Sequence, residues 1–180
     1  MSRVKKITYA ALFAALCTIA TYLIKVPMPL GYFNVGDIFV LLAGWMLGGI
    51  WGGLAAGVGS AVADLISGYA IYAPVTFVLK FLMPFAAYYG YMLFKKLIKK
   101  PALDFLPRFF SALVAELLMA LGYFLFESIL YGLAGGVMTL VGNFIQGGVC
   151  LVGGVAIATI FTHISFIKKQ FPCLLKDETK

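Results

Sequence analysis

The stretch IFVLLAGWMLGGIWGGLAAGVGSAVADLISG, residues 38–68, decides the fold of this chain. Asp64 is its only charged residue, so the segment is suited to the interior of a lipid bilayer. A membrane-spanning helix needs about 20 apolar residues, or fewer where the bilayer is thin. The run is too long for one such helix, and we expect two short helices that divide near GGIWGG at 48–53.

The composition of the whole chain also indicates a membrane protein. Of its 180 residues, 63% are hydrophobic and 12% are charged, and the mean hydropathy is +1.01. A soluble domain carries about 25% charged residues. We therefore expect a single all-α integral membrane domain that covers residues 1–180.

The apolar segments predict six transmembrane helices. They cover about residues 7–24, 38–51, 53–68, 74–94, 105–130 and 137–166. Pro27 and Pro29 follow the first segment, whereas Pro74 suits the first turn of the fourth helix. An even number of spans places both termini on the same side of the membrane.

The basic residues fall into three clusters separated by apolar segments. The clusters are Arg3, Lys5 and Lys6; Lys95, Lys96, Lys99, Lys100 and Arg108; and Lys168, Lys169, Lys176 and Lys180. Cytoplasmic loops carry an excess of Lys and Arg, so both termini are expected to be cytoplasmic. The outer loops 25–37, 69–73 and 131–136 then contain one basic residue, Lys25. This distribution indicates contact with anionic lipid rather than with nucleic acid.

Polar side chains within the predicted helices converge on the outer half of the membrane. We estimate the depth of each residue from a helical rise of about 1.5 Å per residue. The polar residues at similar depth come from four different helices and are Asp64, Lys80, Glu127, Asn143 and Gln146. Charged groups inside a membrane usually face a cavity or one another. We expect Glu127, Asp64 or a ligand to compensate the charge of Lys80.

Aromatic residues and the first outer loop complete the predicted site. The apolar loop 25–37 is expected to fold back onto the bundle over a cavity, with Asn34 as a polar contact. Tyr123 shares a helical face with Glu116 and Glu127. The predicted substrate-binding residues are Asn34, Tyr72, Lys80, Tyr123, Glu127, Asn143 and Gln146. The alternative is structural, with Asp64 paired to Lys80 and Glu127 wetted near the surface, and the roles of Asp64 and Glu116 stay open.

No pattern in the sequence predicts catalysis, a metal site or a cofactor. The chain has one His and neither H-E-x-x-H nor G-x-S-x-G. Its three cysteines, Cys17, Cys150 and Cys173, lack the C-x-x-C spacing. The nucleotide-binding motif G-x-x-x-x-G-K-[ST] is also missing, so any ATP would be used by another protein.

Two further segments of the sequence resemble segments of a known transporter family. Ala10 and Ala14 form an A-x-x-x-A pair in the first span, as do Ala11 and Ala15. The block GYFNVGDIFVLLAGWMLGGIWGGLAAGVGSAVADLISGYAIYAPVTFVLK, residues 31–80, resembles the S components of energy-coupling factor (ECF) vitamin transporters. It is similar to the branch that includes hydroxymethylpyrimidine- and pyridoxine-type S components.

The resemblance implies a division of labour between subunits. The chain would be a six-helix S-component bundle in a bacterial cell membrane, which captures a vitamin and delivers it through a transmembrane coupling protein (T component). Two ABC-type ATPases would supply the energy. The four alanines would dock on the coupling protein, the alternative being that they pack the first span against its own bundle.

The identity of the ligand stays open at this point. Carboxylates suit a protonated ring nitrogen, and aromatic side chains stack on flat rings, so pyridoxine or hydroxymethylpyrimidine is favoured. Lys80 would suit a carboxylate, which keeps pantothenate as an alternative. A stand-alone six-span carrier is the other alternative.

Overall fold

The computed structural model describes residues 1–28, 32–98 and 103–171. Five of the residues named above, Lys99, Lys100, Cys173, Lys176 and Lys180, lie outside these ranges, as do residues 29–31 of the first outer loop. The elements are α1 (Arg3–Leu23), β1 (Lys25–Pro27), β2 (Tyr32–Asn34), α2 (Gly36–Leu47), α3 (Gly49–Ile66), α4 (Ala73–Leu97), α5 (Phe105–Phe161) and α6 (Ser165–Gln170).

Four described helices are long and apolar enough to cross a membrane. They are α1, α3, α4 and α5, and the apolar α2 is shorter, with 12 residues. At 1.5 Å per residue α2 is only about 18 Å long. It is nevertheless the most buried helix, with Val40, Leu41 and Trp45 fully enclosed, because it packs against α1, α3, α4 and α5. The number of spans stays a prediction.

Helix α5 is a hairpin of two antiparallel segments rather than one rod of 57 residues. Gly132 has a positive φ of 77° and a ψ of 168°, a conformation that glycine adopts without steric penalty. Beyond it the chain reverses, since Thr139 donates a hydrogen bond to Glu127 and Gly147 lies against Glu116. We call the segments α5a (105–131) and α5b (133–161). The sequence had placed this boundary between 130 and 137.

Helices α2 and α3 separate at Gly48, where φ is 86°. This glycine is the first residue of GGIWGG at 48–53, where the division is predicted, although the predicted span bounds, 38–51 and 53–68, lie a few residues later. The glycines of the long apolar run pack against different helices. Gly52 approaches the backbone of Ala43 in α2. Gly53 and Gly57 instead face α4, where an added Cβ would lie 2.7 and 2.9 Å from the carbonyl oxygens of Phe81 and Phe77.

The first outer loop contains a two-stranded antiparallel sheet, which the sequence did not predict. Strand β1 pairs with β2, and Val26 lies opposite Phe33. The β1–β2 hairpin lies at the end of the bundle where α1 ends. The N-terminus and the connection between α4 and α5 are at the opposite end. We call these ends the hairpin end and the basic end.

An ion-pair cluster joins α4 to α5 at the basic end. The Arg108 guanidinium is 1% exposed, and it donates to Asp104 Oδ2 (2.7 Å) and to the Tyr91 hydroxyl (3.2 Å). Lys95 Nζ lies 3.4 Å from Asp104 Oδ1. Burial raises the pKa of the Asp104 carboxyl, but the charges of Arg108 and Lys95 outweigh it and hold that pKa below its usual value.

Acid is therefore expected to weaken this cluster. A carboxyl with a lowered pKa in the folded state stabilises the fold above its unfolded-state pKa of about 3.9 and loses this contribution as pH falls further. Because Asp104 is partly exposed, Asp104→Asn should lower stability at pH 7 by only about 1 kcal/mol. Thermal unfolding in detergent should show a difference between wild type and variant at pH 7 that shrinks at pH 3. An equal difference at both values would contradict the assignment.

Candidate small-molecule site

A polar cavity opens at the hairpin end, between β2, α3, α4 and both segments of α5. It encloses about 500 Å³ of space between atoms, part of which is open to the outside. Its lining residues are Thr21, Met28, Tyr32, Asn34, Ser60, Asp64, Tyr69, Tyr72, Thr76, Lys80, Tyr123, Glu127, Asn143 and Gln146. All seven predicted substrate-binding residues are among them. The lining side chains come from α1, β2, α3, α4 and both segments of α5, and from the chain next to these elements.

The charge of Lys80 is compensated by Asp37, at the start of α2. The Lys80 ammonium contacts Asp37 Oδ1, and the two side chains are 4% and 1% exposed. The expectation that Glu127 or Asp64 would pair with Lys80 is therefore wrong. Sequence reasoning missed Asp37 because it stands where the apolar helix begins, a position that suggests a solvated residue. The helix start in fact lies inside the bundle.

Asn34 and Gln146 are also committed to contacts within the protein. Gln146 Oε1 accepts hydrogen bonds from the Asn34 backbone N–H (2.9 Å) and side-chain amide (3.2 Å). Gln146 Nε2 donates to Asp37 Oδ2 at 2.7 Å. These bonds join strand β2, α2 and α5b. Asn34, Asp37, Lys80 and Gln146 form a hydrogen-bonded polar floor. A ligand would contact the groups that these bonds leave over, which include N–H donors of Lys80 and Gln146.

Aromatic rings form one wall of the cavity. The ring centroids of Tyr32 and Tyr69 are 5.0 Å apart, and those of Tyr69 and Tyr72 are 6.1 Å apart. Tyr123 shares a hydrogen bond of 2.8 Å with the Thr76 hydroxyl, and its ring centroid is 5.7 Å from Lys80 Nζ. Four tyrosines thus offer flat apolar faces together with hydroxyl groups, a combination suited to a heterocyclic ligand.

Two carboxylates face the cavity without a cation. Glu127 accepts hydrogen bonds from Thr139 and, at 3.5 Å, from the Tyr72 hydroxyl. Asp64 Oδ1 accepts a hydrogen bond of 2.6 Å from the Tyr32 hydroxyl. Within residues 1–28, 32–98 and 103–171, neither Asp64 nor Glu127 is in a salt bridge. The cavity therefore presents two carboxyl groups that are in no salt bridge with a described residue, whereas Lys80 is paired with Asp37.

Glu116 and Asp64, whose roles the sequence left open, lie in different places. Asp64 lines the cavity, whereas Glu116 does not. Glu116 is 4% exposed, and neither of its carboxylate oxygens has a hydrogen-bond partner among the described residues. It lies next to Gly147, where α5a and α5b pack together. The inward face predicted for Glu116, Tyr123 and Glu127 exists, but only its last two members reach the cavity.

Four cavity residues that the sequence analysis did not select share a recognisable spacing or position. Ser60 precedes Asp64 by four residues, and Thr76 precedes Lys80 by four, so each lies on the same helix face as a selected residue. Thr21 lies in the last turn of α1, and Met28 directly follows β1. A search for hydroxyl groups at i−4 from the intramembrane charges would have found the first two.

The two alanine pairs of α1 lie on different faces of the helix. Ala10 and Ala14 are half-buried and pack against the core, and Ala14 lies against Gly59 of α3. Ala11 and Ala15 are exposed. Ala14 therefore contributes to internal packing, and the docking role of the four alanines stays a prediction. An exposed small-residue face remains at Ala11 and Ala15.

The fold and the cavity together indicate the class of protein. A helical bundle with apolar outer faces and a polar, tyrosine-lined cavity at one end is a membrane protein that binds a small molecule. Residues 1–163 match the family described as "ECF-type riboflavin transporter, S component". The chain belongs to this family, whose members are substrate-binding subunits of transporters rather than enzymes. The match is to a riboflavin-type family and does not extend to the branch that the sequence favoured.

A relative and a solved structure are also similar to this chain. A protein of Pyrococcus woesei, described as "Uncharacterized protein in gap 3'region", is 32% identical over 141 aligned residues, and the match covers 76% of this chain and 89% of that protein. A structure titled "Structure and mechanism of the S component of a bacterial ECF transporter" is similar with a TM-score of 0.65 and 19% identity. The similarity covers 90% of this chain and 98% of that one, so the two share a fold.

Proposed function

We propose that this chain binds a flat, nitrogen-containing vitamin that carries no carboxylate and delivers it into the cell as part of an ECF transporter. The observation that carries this proposal is the cavity itself, in which tyrosine rings surround two carboxylates that have no cation. Riboflavin is the first candidate because of the matched family, and pyridoxine and hydroxymethylpyrimidine are the next. All three are flat rings with hydrogen-bond donors.

The charge distribution separates these ligands from pantothenate. A carboxylate ligand was an alternative only because Lys80 was expected to be available. Lys80 is paired with Asp37, and recruiting it for a ligand would leave Asp37 buried without a partner, which is strongly unfavourable. Asp64 and Glu127 would in addition repel an anion. A neutral or cationic ligand with hydrogen-bond donors suits both carboxylates.

The partners and the topology are proposed on the same basis. ECF S components work with a T component and ATPases, and the exposed face at Ala11 and Ala15 supports contact with a neighbouring membrane helix, because small residues let helix backbones approach closely. The two ABC-type ATPases would use the ATP, and this chain would need no cofactor. The basic clusters support six spans with both termini cytoplasmic, which places the cavity toward the outside.

Calorimetric titration of the purified protein in detergent tests the ligand class. We expect at least one of riboflavin, pyridoxine and hydroxymethylpyrimidine to bind with a Kd of about 1 μM or lower, which corresponds to about −8 kcal/mol. Pantothenate is the matched control and should not bind. Tryptophan fluorescence is a poor reporter, since Trp45 hydrogen-bonds Ser111 near the basic end, away from the cavity.

Two results would count against the proposal. Folded protein that binds none of the three vitamins would exclude the ligand class, and mass spectrometry of small molecules that co-purify with it would then identify the true ligand. Tight binding of pantothenate would show that Lys80 is available to anions after all. Uptake by cells that lack the ATPases would favour the stand-alone carrier.

A further inference from the structure

Three buried polar atoms of the cavity have no hydrogen-bond partner among the described residues. They are Ser60 Oγ, Asp64 Oδ2 and Asn143 Nδ2. The exposures of the three residues are 1%, 5% and 7%, and all three line the cavity. A buried polar atom without a partner is unfavourable by about 1–3 kcal/mol, so these atoms indicate where a ligand would complete the hydrogen bonding.

The free oxygen of Asp64 is held in a defined position. The Tyr32 hydroxyl donates to Oδ1 at 2.6 Å, and Tyr32 itself is placed by the pairing of β1 with β2. The remaining oxygen, Oδ2, has no hydrogen-bond partner among the described residues. The Thr76 hydroxyl also acts on this carboxyl, and Oδ2 is free to accept from a ligand. Ser60 lies four residues earlier in α3, on the same helix face, and its hydroxyl extends this hydrogen-bonding edge.

Asn143 comes from α5b and has the complementary chemistry. Its side-chain amide nitrogen has two N–H donors, and none of them is used within the described residues. The cavity therefore offers an acceptor from α3 and a donor from α5b. A ligand that satisfies both needs a donor and an acceptor of its own.

We infer that Asp64, supported by Ser60, determines specificity by accepting a hydrogen bond from a ring N–H or amino group of the ligand, while Asn143 donates to an acceptor of the ligand from the α5b side. This inference rests on the proposed function and deepens it. The ligand class is a flat ring with an N–H or amino donor and at least one acceptor, as in a cyclic imide or an aminopyrimidine. Riboflavin has such a donor at its N3–H, and hydroxymethylpyrimidine has one at its amino group; both also have ring acceptors. Pyridoxine has hydroxyl donors, but it has no amino group and its neutral ring nitrogen carries no hydrogen.

The test combines protein variants with a ligand that lacks the donor. Riboflavin and N3-methylriboflavin are titrated into wild type, Asp64→Asn and Ser60→Ala. Wild type should bind riboflavin at least about 10-fold more tightly than the methylated ligand, since one buried hydrogen bond is lost. Asp64→Asn should bind riboflavin at least about 10-fold more weakly than wild type and should discriminate little between the two ligands. Ser60→Ala should show a smaller loss in the same direction.

Asp104→Asn, the same substitution at the basic end, is the matched control and should discriminate as wild type does. Thermal unfolding establishes that each variant is folded. If only hydroxymethylpyrimidine binds, its analogue without the amino group replaces N3-methylriboflavin, with the same expected pattern. Full discrimination by folded Asp64→Asn would overturn the inference, as would wild type that binds pyridoxine alone. Wild type that binds no vitamin at all would instead overturn the proposed function.

Discussion

Lys80→Met is expected to lower the free energy of unfolding by about 3–5 kcal/mol, because it leaves the Asp37 carboxylate buried without its cation. Both side chains of this pair are almost fully enclosed, so water cannot replace the lost partner. Gln146 still donates to Asp37 Oδ2, but a single neutral amide does not compensate a buried negative charge. Thermal or denaturant unfolding in detergent measures the loss.

The double variant Lys80→Met, Asp37→Asn separates the ion pair from other effects of the substitution. Asparagine keeps the acceptor for Gln146 but carries no charge, so the double variant should recover much of the lost stability. Lys169→Met is the control, since Lys169 is exposed near the basic end. If Lys80→Met unfolds like wild type, Lys80 and Asp37 do not form the pair that stabilises the floor of the cavity.

Ala15→Trp and Ala14→Trp are expected to impair different steps, although the residues are neighbours in the sequence. Ala15 is exposed, so Ala15→Trp should leave folding and ligand affinity nearly unchanged but abolish uptake driven by the ATPases, because an indole ring prevents close approach of a partner helix. Ala14 lies against Gly59 of α3. Ala14→Trp should therefore overpack the bundle and damage folding and binding together.

The comparison needs three measurements on the same preparations. They are thermal unfolding, titration with the vitamin that binds, and uptake in cells that contain the coupling protein and ATPases. Leu23→Trp is the matched control on α1, since Leu23 is 69% exposed but lies about two turns from Ala15, at the hairpin end of the helix. Normal uptake by Ala15→Trp would remove this face from the docking surface. Normal stability of Ala14→Trp would contradict its internal packing.

The position of the cavity was predictable because charged and amide groups are rare in apolar helices. Lys80, Glu127, Asn143 and Gln146 stand out in the sequence, and their depth along separate helices indicates one common region. The reversal of α5 at Gly132 was predictable for a similar reason, because the apolar segment is too long for one span. That these side chains bind the ligand stays a prediction.

The pairing within the cavity was not predictable from depth alone. Depth gives the distance of a residue along the membrane normal but not the direction in which its side chain points, so Asp64, Glu127 and Asp37 were equally near to Lys80. Rotation about the helix axis likewise decides that Ala14 packs inside while Ala15 is exposed. The partner of Lys80 and the buried face of α1 both depend on how the helices pack against one another. The sequence of one helix with small residues on two faces does not specify this packing.

The contact between α3 and α4 makes the cavity mechanically unequal on its two sides. Gly53 and Gly57 bring the backbones of these helices into direct contact, so sliding or separating them would break many close contacts at once. The opposite side includes Met28, whose flexible side chain lies against Gly142 of α5b. The α3–α4 wall, with Asp64 and Lys80, thus acts as a stiff reference surface. We therefore expect adjustment to ligands of different width mainly on the side formed by Met28 and α5b.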